Sequence, residues 1–242
     1  MTVWQKRLFK LKGFLIYLYS LSLLRYSAFN RAQLKKLFAS LKVDKLHLGC
    51  GLLYLPGWCN VLYERNQEYG RLVKREGVDF LNYNLMGPWP WADNSVTHVA
   101  AAHFIEHIDL NQCLWFCGQA YSVLKPGGVI RLSCPDLEIY ARNYVTGNEA
   151  FFKDKEIIKA CTFKSAVTPS QIFAAKAYDS GGAHKWFHDF SSLKSVLERS
   201  GFVDVKRLDR LEGKTPDLAT LELAGREIET VYVEATKPRS LK

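Results

Sequence analysis

The chain of 242 residues contains no C-x-x-C pair, no low-complexity tract and no internal repeat. Its cysteines are scattered, and several lie inside apolar runs, which predicts reduced and mostly buried thiols in a cytosolic protein and argues against a disulfide framework. The six cysteines are Cys50, Cys59, Cys113, Cys117, Cys134 and Cys161. The length and a hydrophobic fraction of 48% suit one globular domain with an extension.

Acidic residues are nearly missing from the first 45 positions, where Asp44 is the only acid among ten lysines and arginines. The remaining positions carry 23 basic and 23 acidic residues, so the main domain is formally neutral. The net charge of +9 therefore belongs to residues 1–45, that is, to the N-terminal extension, which we place at residues 1–44, and to Lys45 directly after it. This distribution argues against a nucleic-acid groove across the domain, and no nucleic-acid partner is expected.

The longest apolar run, residues 14–24, is well short of the ~20 residues that a membrane-spanning helix needs. Three interpretations remain open. Its basic flanks suit an interfacial helix that binds an anionic membrane surface through residues 1–36, placing a cytoplasmic protein at the inner membrane face. The second interpretation is a helix that docks on its own domain or on a second subunit. The third is a signal peptide, but Arg25 interrupts the region where its cleavage site should lie. Residues 30–42 predict an amphipathic helix that covers a sheet edge.

From Lys45 onward the pattern alternates between strands and helices, which predicts an α/β fold with a doubly wound parallel sheet. Strands are expected at 45–48, 58–63, 79–85, 95–102 and 129–134. Helices are expected at 67–76, 109–124 and 189–199, and residues 137–190 form an insert of helices and loops. Two late strands at 202–208 and 229–235 lack a crossover helix between them and should pair antiparallel.

The first strand ends in a Gly-x-Gly turn, Gly49-Cys50-Gly51, at which a ligand can approach the backbone closely. If a helix begins just beyond it, its free amide groups point at the same place, although a plain tight turn is also consistent with the pattern. Tyr54 occupies the third glycine position of a dinucleotide motif, so a nucleoside without pyrophosphate fits better. Glu64, at the end of the next strand, is placed to accept hydrogen bonds from a ribose. Adenine would then lie near the ends of the third and fourth strands.

Several motifs follow one another in order between residues 45 and 237, and together they are specific. They are Leu46–Gly51, Pro56–Val61, Pro90–Val96, His103–His107, Val123–Gly128, Pro135–Leu137, His184–Asp189 and Tyr232–Lys237. In these motifs the chain resembles class I S-adenosylmethionine-dependent methyltransferases, and more closely a bacterial group associated with surface-polysaccharide biosynthesis. The resemblance implies a Rossmann-like seven-stranded sheet with an antiparallel last strand, S-adenosylmethionine as cofactor, and a glycan, glycolipid-precursor or small-molecule acceptor.

The resemblance and the turn together define a predicted cofactor site. Its members are His47, Gly49, Cys50, Gly51, Glu64, Asn84, Leu85, His103 and Phe104. The chain departs from the family at two positions: Leu62 stands where an aspartate binds the cofactor ribose, and Asn84 replaces an aspartate at the adenine site. The Asn84 amide oxygen can still accept a hydrogen bond from the adenine amino group. A non-catalytic binding module that retains the fold is therefore the alternative to an enzyme.

Methyl transfer from a sulfonium requires mainly proximity and orientation, and a general base only for a protonated acceptor. His107 and His103 lie where the methyl group should emerge, so they are the candidate catalytic residues; a structural role is the alternative for each. Asp136, His188 and Asp189 are further candidates.

Residues 103–107 match the H-x-x-E-H zinc motif, but they begin where a strand ends rather than within a helix, so no metal site is expected. Arg131 is expected in an ion pair, and the aromatic residues of 137–190 in a core or a lid.

Overall fold

The computed structural model describes residues 32–39, 43–64 and 70–239, without the side chains of residues 180 and 181. These residues divide into two compact units. The smaller contains residues 32–39 and 89–92, and the larger contains 43–64, 70–88 and 93–239. The predictions for the apolar run at residues 14–24 fall outside the described residues. None of the helices in the described ranges is long and apolar enough to span a membrane.

In the smaller unit, helix α1 occupies residues 32–39, within the helix predicted for 30–42. Leu34 and Phe38 are buried at a spacing of four residues, which places them on one face of the helix. The ring of Phe38 lies 5.4 Å from that of Trp91, and Trp89 packs edge-on against Trp91 at 5.8 Å. The helix thus packs on a pair of tryptophans, and its predicted role at a sheet edge stays a prediction.

The larger unit is built on one sheet of eight strands in the order β3-β4-β2-β1-β5-β6-β8-β7. The strands are β1 (Lys45–Leu48), β2 (Cys59–Leu62), β3 (Leu72–Arg75), β4 (Val78–Asn82), β5 (Val96–Ala102), β6 (Leu124–Pro135), β7 (Val203–Leu208) and β8 (Thr230–Thr236). The five strands β4, β2, β1, β5 and β6 are parallel. β8 runs antiparallel between β6 and β7, as predicted for the late strands. The fold is therefore a Rossmann-like α/β fold.

Two sequence predictions about the sheet are wrong. Residues 72–75 were expected in a helix over 67–76, but they form the edge strand β3, antiparallel to β4. This hairpin adds an eighth strand to the seven that were expected. Gly77, with φ of 82°, allows the tight turn between the two strands. Leu72 and Val73 are both half-buried, and so short an apolar pair is compatible with either a helix or a strand.

Eight α-helices follow β5 in the described residues, and five of them begin at a side-chain cap. They are α2 (Leu110–Val123), α3 (Leu137–Val145), α4 (Glu149–Lys153), α5 (Lys155–Ala160), α6 (Pro169–Ala177), α7 (Asp179–Gly182), α8 (Phe190–Arg199) and α9 (Leu218–Leu221). Asp109 and Gln112 form a capping box at the start of α2. Asp189 caps α8, which buries Leu193, Val196 and Leu197. The predicted helices at 109–124 and 189–199 are confirmed.

The insert at residues 137–190 has its own small aromatic core. Tyr140, Phe151 and Phe152 are buried, and Phe173 and Phe187 pack against them. The ring of Tyr140 lies within about 5–6.5 Å of the other four, mostly in edge-to-face geometry. These rings are core, one of the two roles predicted for them. The more exposed aromatic residues of this region are Tyr144, Phe163, Tyr178 and Trp186.

Irregular segments and the short helix α9 pack on one face of the sheet. Residues 49–58 connect β1 to β2 without a helix, so no helix begins directly after the glycine turn. Only seven residues separate Gly51 from β2, and they include Pro56-Gly57, which leaves too little chain for a crossover helix. Leu55 and Trp58 pack on Ala100 of β5 together with residues of α9.

Candidate functional site

The direction of the sheet winding reverses at β1. The chain leaves β1 toward β2 and β4, and it then returns to β5 on the other side of β1. In an open α/β sheet, the carboxyl ends of the strands at such a switch point border a crevice that binds ligands. Here the Gly49–Gly51 turn follows β1, and the 3-10 helix Ile105–His107 follows β5.

Positive backbone angles shape the glycine turn. Gly49 has φ of 67° and Gly51 has φ of 54°, a region that side chains with a Cβ atom rarely adopt. The turn bends toward β2, since the Cys50 amide donates a hydrogen bond to the Val61 carbonyl at 3.0 Å. A Cβ atom on Gly49 would lie 2.3 Å from Cδ2 of Phe104, whereas one on Gly51 would meet no atom within 4 Å. Phe104 therefore packs directly on the bare Cα of Gly49.

A cavity of about 410 Å³ lies against this turn, within the usual range for small-molecule sites. Its walls come from the turn and from the carboxyl ends of β2, β4 and β5. The lining residues are Gly49, Gly51, Leu62, Tyr63, Tyr83, Asn84, Leu85, Met86, His103, Phe104, His107 and Ile108. Six of the nine predicted cofactor residues, and both candidate catalytic histidines, line it.

Two further predicted cofactor residues, His47 and Cys50, line a second cavity of about 430 Å³, which shares Gly49, Gly51 and His103 with the first. His47 is buried, and its Nδ1 lies 3.1 Å from Oδ1 of Asn60. Burial lowers the pKa of His47 to about 4, so the ring is neutral near pH 7. Burial also raises the pKa of the Cys50 thiol to about 12, which makes this cysteine a poor nucleophile.

Glu64, the ninth predicted cofactor residue, lies outside both cavity linings. Its two carboxylate oxygens accept hydrogen bonds from Arg75 on β3, at 3.1 and 2.6 Å. The guanidinium of Arg75 also stacks on the ring of Phe80, 3.6 Å from its centre. The hydrogen bond from Arg75 lowers the pKa of Glu64. An additional hydrogen-bond partner at Glu64 would have to compete with this two-pronged pair.

The two positions that depart from the family pattern both line the first cavity. Leu62, the last residue of β2, presents an apolar side chain there. The side-chain oxygen of Asn84 accepts a hydrogen bond from the Met86 amide at 3.0 Å, so it stabilises the turn after β4. A carbonyl oxygen has two lone pairs, which leaves capacity for one more donor.

His103 follows β5 with a positive φ of 50°. Its Nδ1 lies 3.1 Å from Nη2 of Arg226, and its Nε2 lies 3.3 Å from Oγ1 of Thr230. A guanidinium can only donate, so Nδ1 accepts and the ring proton belongs on Nε2. Both ring nitrogens are therefore engaged, which suits a residue that orients its neighbours better than it suits a general base.

The other candidates have mainly structural partners. Asp136 caps α3 and forms an ion pair with Arg207 at 2.5 Å, and burial raises the pKa of Asp136. His188 is buried between Ser192, 2.8 Å from its Nδ1, and Cys113, 3.5 Å from its Nε2. Burial lowers the pKa of His188 to about 4. Arg131 is fully buried and pairs with Glu222 at 2.9 Å, so its predicted ion pair is confirmed.

The structure also brings together a group that sequence reasoning missed. Glu106 and His107 meet His184, and their ligand-type atoms all lie within 4.8 Å of one another. The rings of His107 and His184 are edge-to-face with centres 4.8 Å apart. His184 is 77 positions from His107 in the chain, so spacing gave no signal. The only indication was that both belong to the motifs that carry the family resemblance.

No protein-family model and no curated protein matches the chain. Among solved structures, a SAM-dependent methyltransferase from Archaeoglobus fulgidus is 17% identical, covering 86% of this chain and 92% of that one, with a TM-score of 0.44. A SAM-dependent methyltransferase from Thermotoga maritima, described as a possible histamine N-methyltransferase, is 19% identical over 90% and 96%, with a TM-score of 0.46. Human N-acetylserotonin methyltransferase in complex with SAM is 14% identical over 86% of this chain and 51% of that one, with a TM-score of 0.43. These similarities are too low to assign an activity.

Proposed function

We propose that the chain is an S-adenosylmethionine-dependent methyltransferase that acts on a glycan, a glycolipid precursor or a small molecule. The observation that carries the proposal is the cavity of about 410 Å³ at the β1/β5 switch point, against the Gly-x-Gly turn. Because Gly51 lacks a side chain and has open space beside its Cα, a ligand can contact the backbone there. The ordered motifs that resemble class I methyltransferases span the same strand ends.

The shape of the turn favours a nucleoside over a dinucleotide. Dinucleotide sites bind pyrophosphate at the N-terminus of a helix that follows the glycine turn. Residues 49–58 contain no helix, so those free amide groups and that dipole are missing. Apolar residues such as Leu62, Leu85 and Phe104 suit an adenosine and a methionine chain better than they suit four phosphate oxygens.

The ribose contact is the weakest part of the proposed site. Leu62 cannot accept hydrogen bonds, and Glu64 is held by Arg75. In this proposal Glu64 exchanges part of its pair with Arg75 for the ribose hydroxyls when the cofactor binds. Glu64→Ala should therefore weaken binding, although it also leaves Arg75 unpaired. An Arg75→Ala control separates the two effects, because it breaks the same ion pair and retains the carboxylate.

Isothermal titration calorimetry with S-adenosylmethionine and S-adenosylhomocysteine tests the proposal, with NAD as the control ligand. We expect both sulfur ligands to bind and NAD to give no heat. We expect Arg75→Ala to bind at least as tightly as the unmodified chain, and Glu64→Ala to bind more weakly. No heat and no thermal shift with either sulfur ligand at millimolar concentration would refute the proposal.

A non-catalytic binding module is the second candidate function, and the altered residues Leu62 and Asn84 favour it. The two candidates separate on product formation rather than on binding. A module binds S-adenosylmethionine without producing S-adenosylhomocysteine from any acceptor tested. An enzyme releases S-adenosylhomocysteine in proportion to a hydroxyl-bearing acceptor, and a panel of glycans and glycolipid precursors supplies the candidates.

Membrane association through residues 1–36 is part of the same proposal, because a glycolipid precursor would be met at a lipid surface. The support is the basic charge that precedes the apolar run at 14–24. Co-sedimentation of the full chain with anionic vesicles at low salt should be lost when Lys6, Lys10 and Lys12 are changed to glutamine. Equal sedimentation of both proteins would contradict the electrostatic contribution.

A further inference from the structure

Glu106, His107 and His184 form a compact cluster at the edge of the first cavity. Glu106 and His107 lie in the 3-10 helix after β5, and His184 lies between α7 and α8. Their three ligand-type atoms are mutually within 4.8 Å, close enough for small side-chain movements to bring them onto one ion. His107 is also part of the cavity wall.

Hydrogen bonds fix the two segments to each other and orient the His184 ring. The amides of Lys185 and Trp186 donate to the Glu106 carbonyl at 2.8 and 3.2 Å. Nδ1 of His184 lies 2.9 Å from the Lys176 carbonyl, which can only accept, so Nδ1 carries the proton. The neutral ring then has its lone pair on Nε2. Histidines that bind metals usually donate their other N–H to a carbonyl or carboxylate in this way.

Glu106 supplies a second, independent observation. It is 2% exposed, and its Oε2 has no hydrogen-bond partner among the described residues. His103 Nδ1 lies 3.4 Å from Oε1, but Arg226 donates to that nitrogen, so His103 cannot also donate to the carboxylate. A buried carboxylate oxygen without a partner is costly, and a cation beside it would remove that cost.

We propose that Glu106, His107 and His184 bind a divalent first-row transition-metal ion. Two imidazole nitrogens and one carboxylate oxygen suit zinc, manganese, iron or cobalt, whereas calcium and magnesium prefer oxygen ligands. Three protein ligands leave at least one coordination position open. Since His107 lines the first cavity, an ion held by the cluster would lie beside the proposed cofactor site, near the place where the methyl group should emerge.

The role of this position in methyl transfer rests on the proposed function. A hydroxyl oxygen of the acceptor occupies the open position, and the ion lowers the pKa of its proton, which passes to bulk water. The oxygen then forms a bond to the methyl carbon of S-adenosylmethionine. The carbon–sulfur bond breaks, and its electron pair returns to sulfur, which gives the neutral thioether S-adenosylhomocysteine.

Titration of the metal-free full chain with Co²⁺, followed by visible absorption and calorimetry, tests the site. We expect one ion per chain and a spectrum typical of nitrogen and oxygen ligands. Glu106→Gln and His184→Gln should each weaken Co²⁺ binding by more than about 100-fold, because loss of an outer partner alone costs 10–100-fold. Glu138→Gln and His98→Gln make the same changes away from the cluster and should leave the affinity unchanged.

Thermal unfolding without metal separates ligation from a structural role. Glu106→Gln removes a buried charge that has an unpaired oxygen, so its metal-free stability should equal or exceed that of the unmodified chain. Azide, a small anion that binds Co²⁺, should change the spectrum if a coordination position is open. No binding of Co²⁺ at millimolar concentration, or equal affinity in the cluster variants and the controls, overturns the site.

The outcome of the Co²⁺ experiments can be told apart from the outcome of the cofactor-binding experiments that test the proposed function. If S-adenosylmethionine binds the metal-free chain and Co²⁺ binds nowhere, the metal site is refuted and the proposed function stands. If Co²⁺ binds through the cluster and no sulfur ligand binds, the metal site stands and its role in methyl transfer falls with the proposed function.

Discussion

Gly49 and Gly51 share a backbone conformation but differ in their surroundings. Both have a positive φ, so an alanine at either position is strained by about 1 kcal/mol or more. Only at Gly49 would the new methyl group overlap a neighbour, the ring of Phe104 at 2.3 Å. The two positions therefore separate backbone strain from steric overlap within one turn.

We expect Gly51→Ala to lower the free energy of unfolding by about 1 kcal/mol and Gly49→Ala by about 3 kcal/mol or more. Urea denaturation of both variants measures the difference. The double variant Gly49→Ala/Phe104→Ala should lose less than the sum of its single changes, because the overlap disappears with the ring. Equal losses in the two single variants would show that Phe104 yields without cost.

At the scale of elements, two irregular segments pack on the sheet: the connection after the glycine turn and the loop after β7. A helix satisfies its backbone hydrogen bonds internally, but irregular segments such as these do not. Buried polar side chains of the strands supply those bonds instead. Asn60 on β2 bonds the backbone of Leu55 and Trp58 in the segment after the glycine turn. Arg131 on β6 donates to carbonyls of the loop after β7, and Glu234 on β8 accepts from amides of the same loop. These side chains therefore hold the loops in place by hydrogen bonds and do not belong to a reactive site.

Arg131→Lys tests this role. Lysine retains the charge but lacks the planar fork that reaches the Glu212 and Arg210 carbonyls, at 2.7 and 2.8 Å, together with Glu222. We expect a loss of about 3 kcal/mol in the free energy of unfolding and faster hydrogen exchange in residues 209–217. Arg142→Lys is the matched control: Arg142 is exposed, and its substitution should change stability by less than about 0.5 kcal/mol. Similar losses in both variants would contradict the proposed role.

At the scale of the whole molecule, buried neutral histidines make stability depend on pH. The pKa values of His47 and His188 are about 4 in the folded chain, against 6.5 for a free histidine. Below pH 6.5 the unfolded chain binds protons at both positions while the folded chain does not. Stability therefore falls as the pH drops from 6.5 toward 4, by up to about 1.4 kcal/mol per pH unit for each histidine.

His47→Asn removes one of these two contributions. Asparagine can place an amide nitrogen near the position of Nδ1 and retain the bond to Asn60. Between pH 6.5 and 5, the slope of unfolding free energy against pH should decrease by up to about 1.4 kcal/mol per unit. Denaturation at pH 7.5, where neither form titrates, gives the packing cost separately. Parallel curves for the variant and the unmodified chain would show that His47 does not remain neutral in the fold.

Much of the fold follows from local signals in the sequence. The buried strand at 95–102, the helix between Asp109 and Lys125-Pro126-Gly127, and the antiparallel late strands each carry strong periodicity or punctuation. Residues 72–75 carried neither, and tertiary pairing with β4 decided their conformation. No helix directly follows Gly51, because the motif indicates only a turn, whereas the length of chain before β2 decides whether a helix fits.

The candidate site was only partly predictable for a similar reason. Residues at the ends of strands, such as Asn84 and Phe104, could be located because parallel strands bring their carboxyl ends to one edge. The pairing of Glu64 with Arg75 depends on the edge hairpin, which the sequence did not indicate. The meeting of His107 with His184 depends on how the insert folds back, and no spacing rule predicts such a contact.

The place of β8 between β6 and β7 has a consequence for how the chain is made. β8 leaves the ribosome after both of its neighbours, β6 and β7, yet it holds them in register from the interior of the sheet. Until Thr230–Thr236 has been synthesised, β6 and β7 each present an unpaired edge that can join another chain. The nascent protein is therefore exposed to aggregation through these edges until β8 has been synthesised, and a chain truncated before residue 230 should be captured by chaperones rather than accumulate in soluble form.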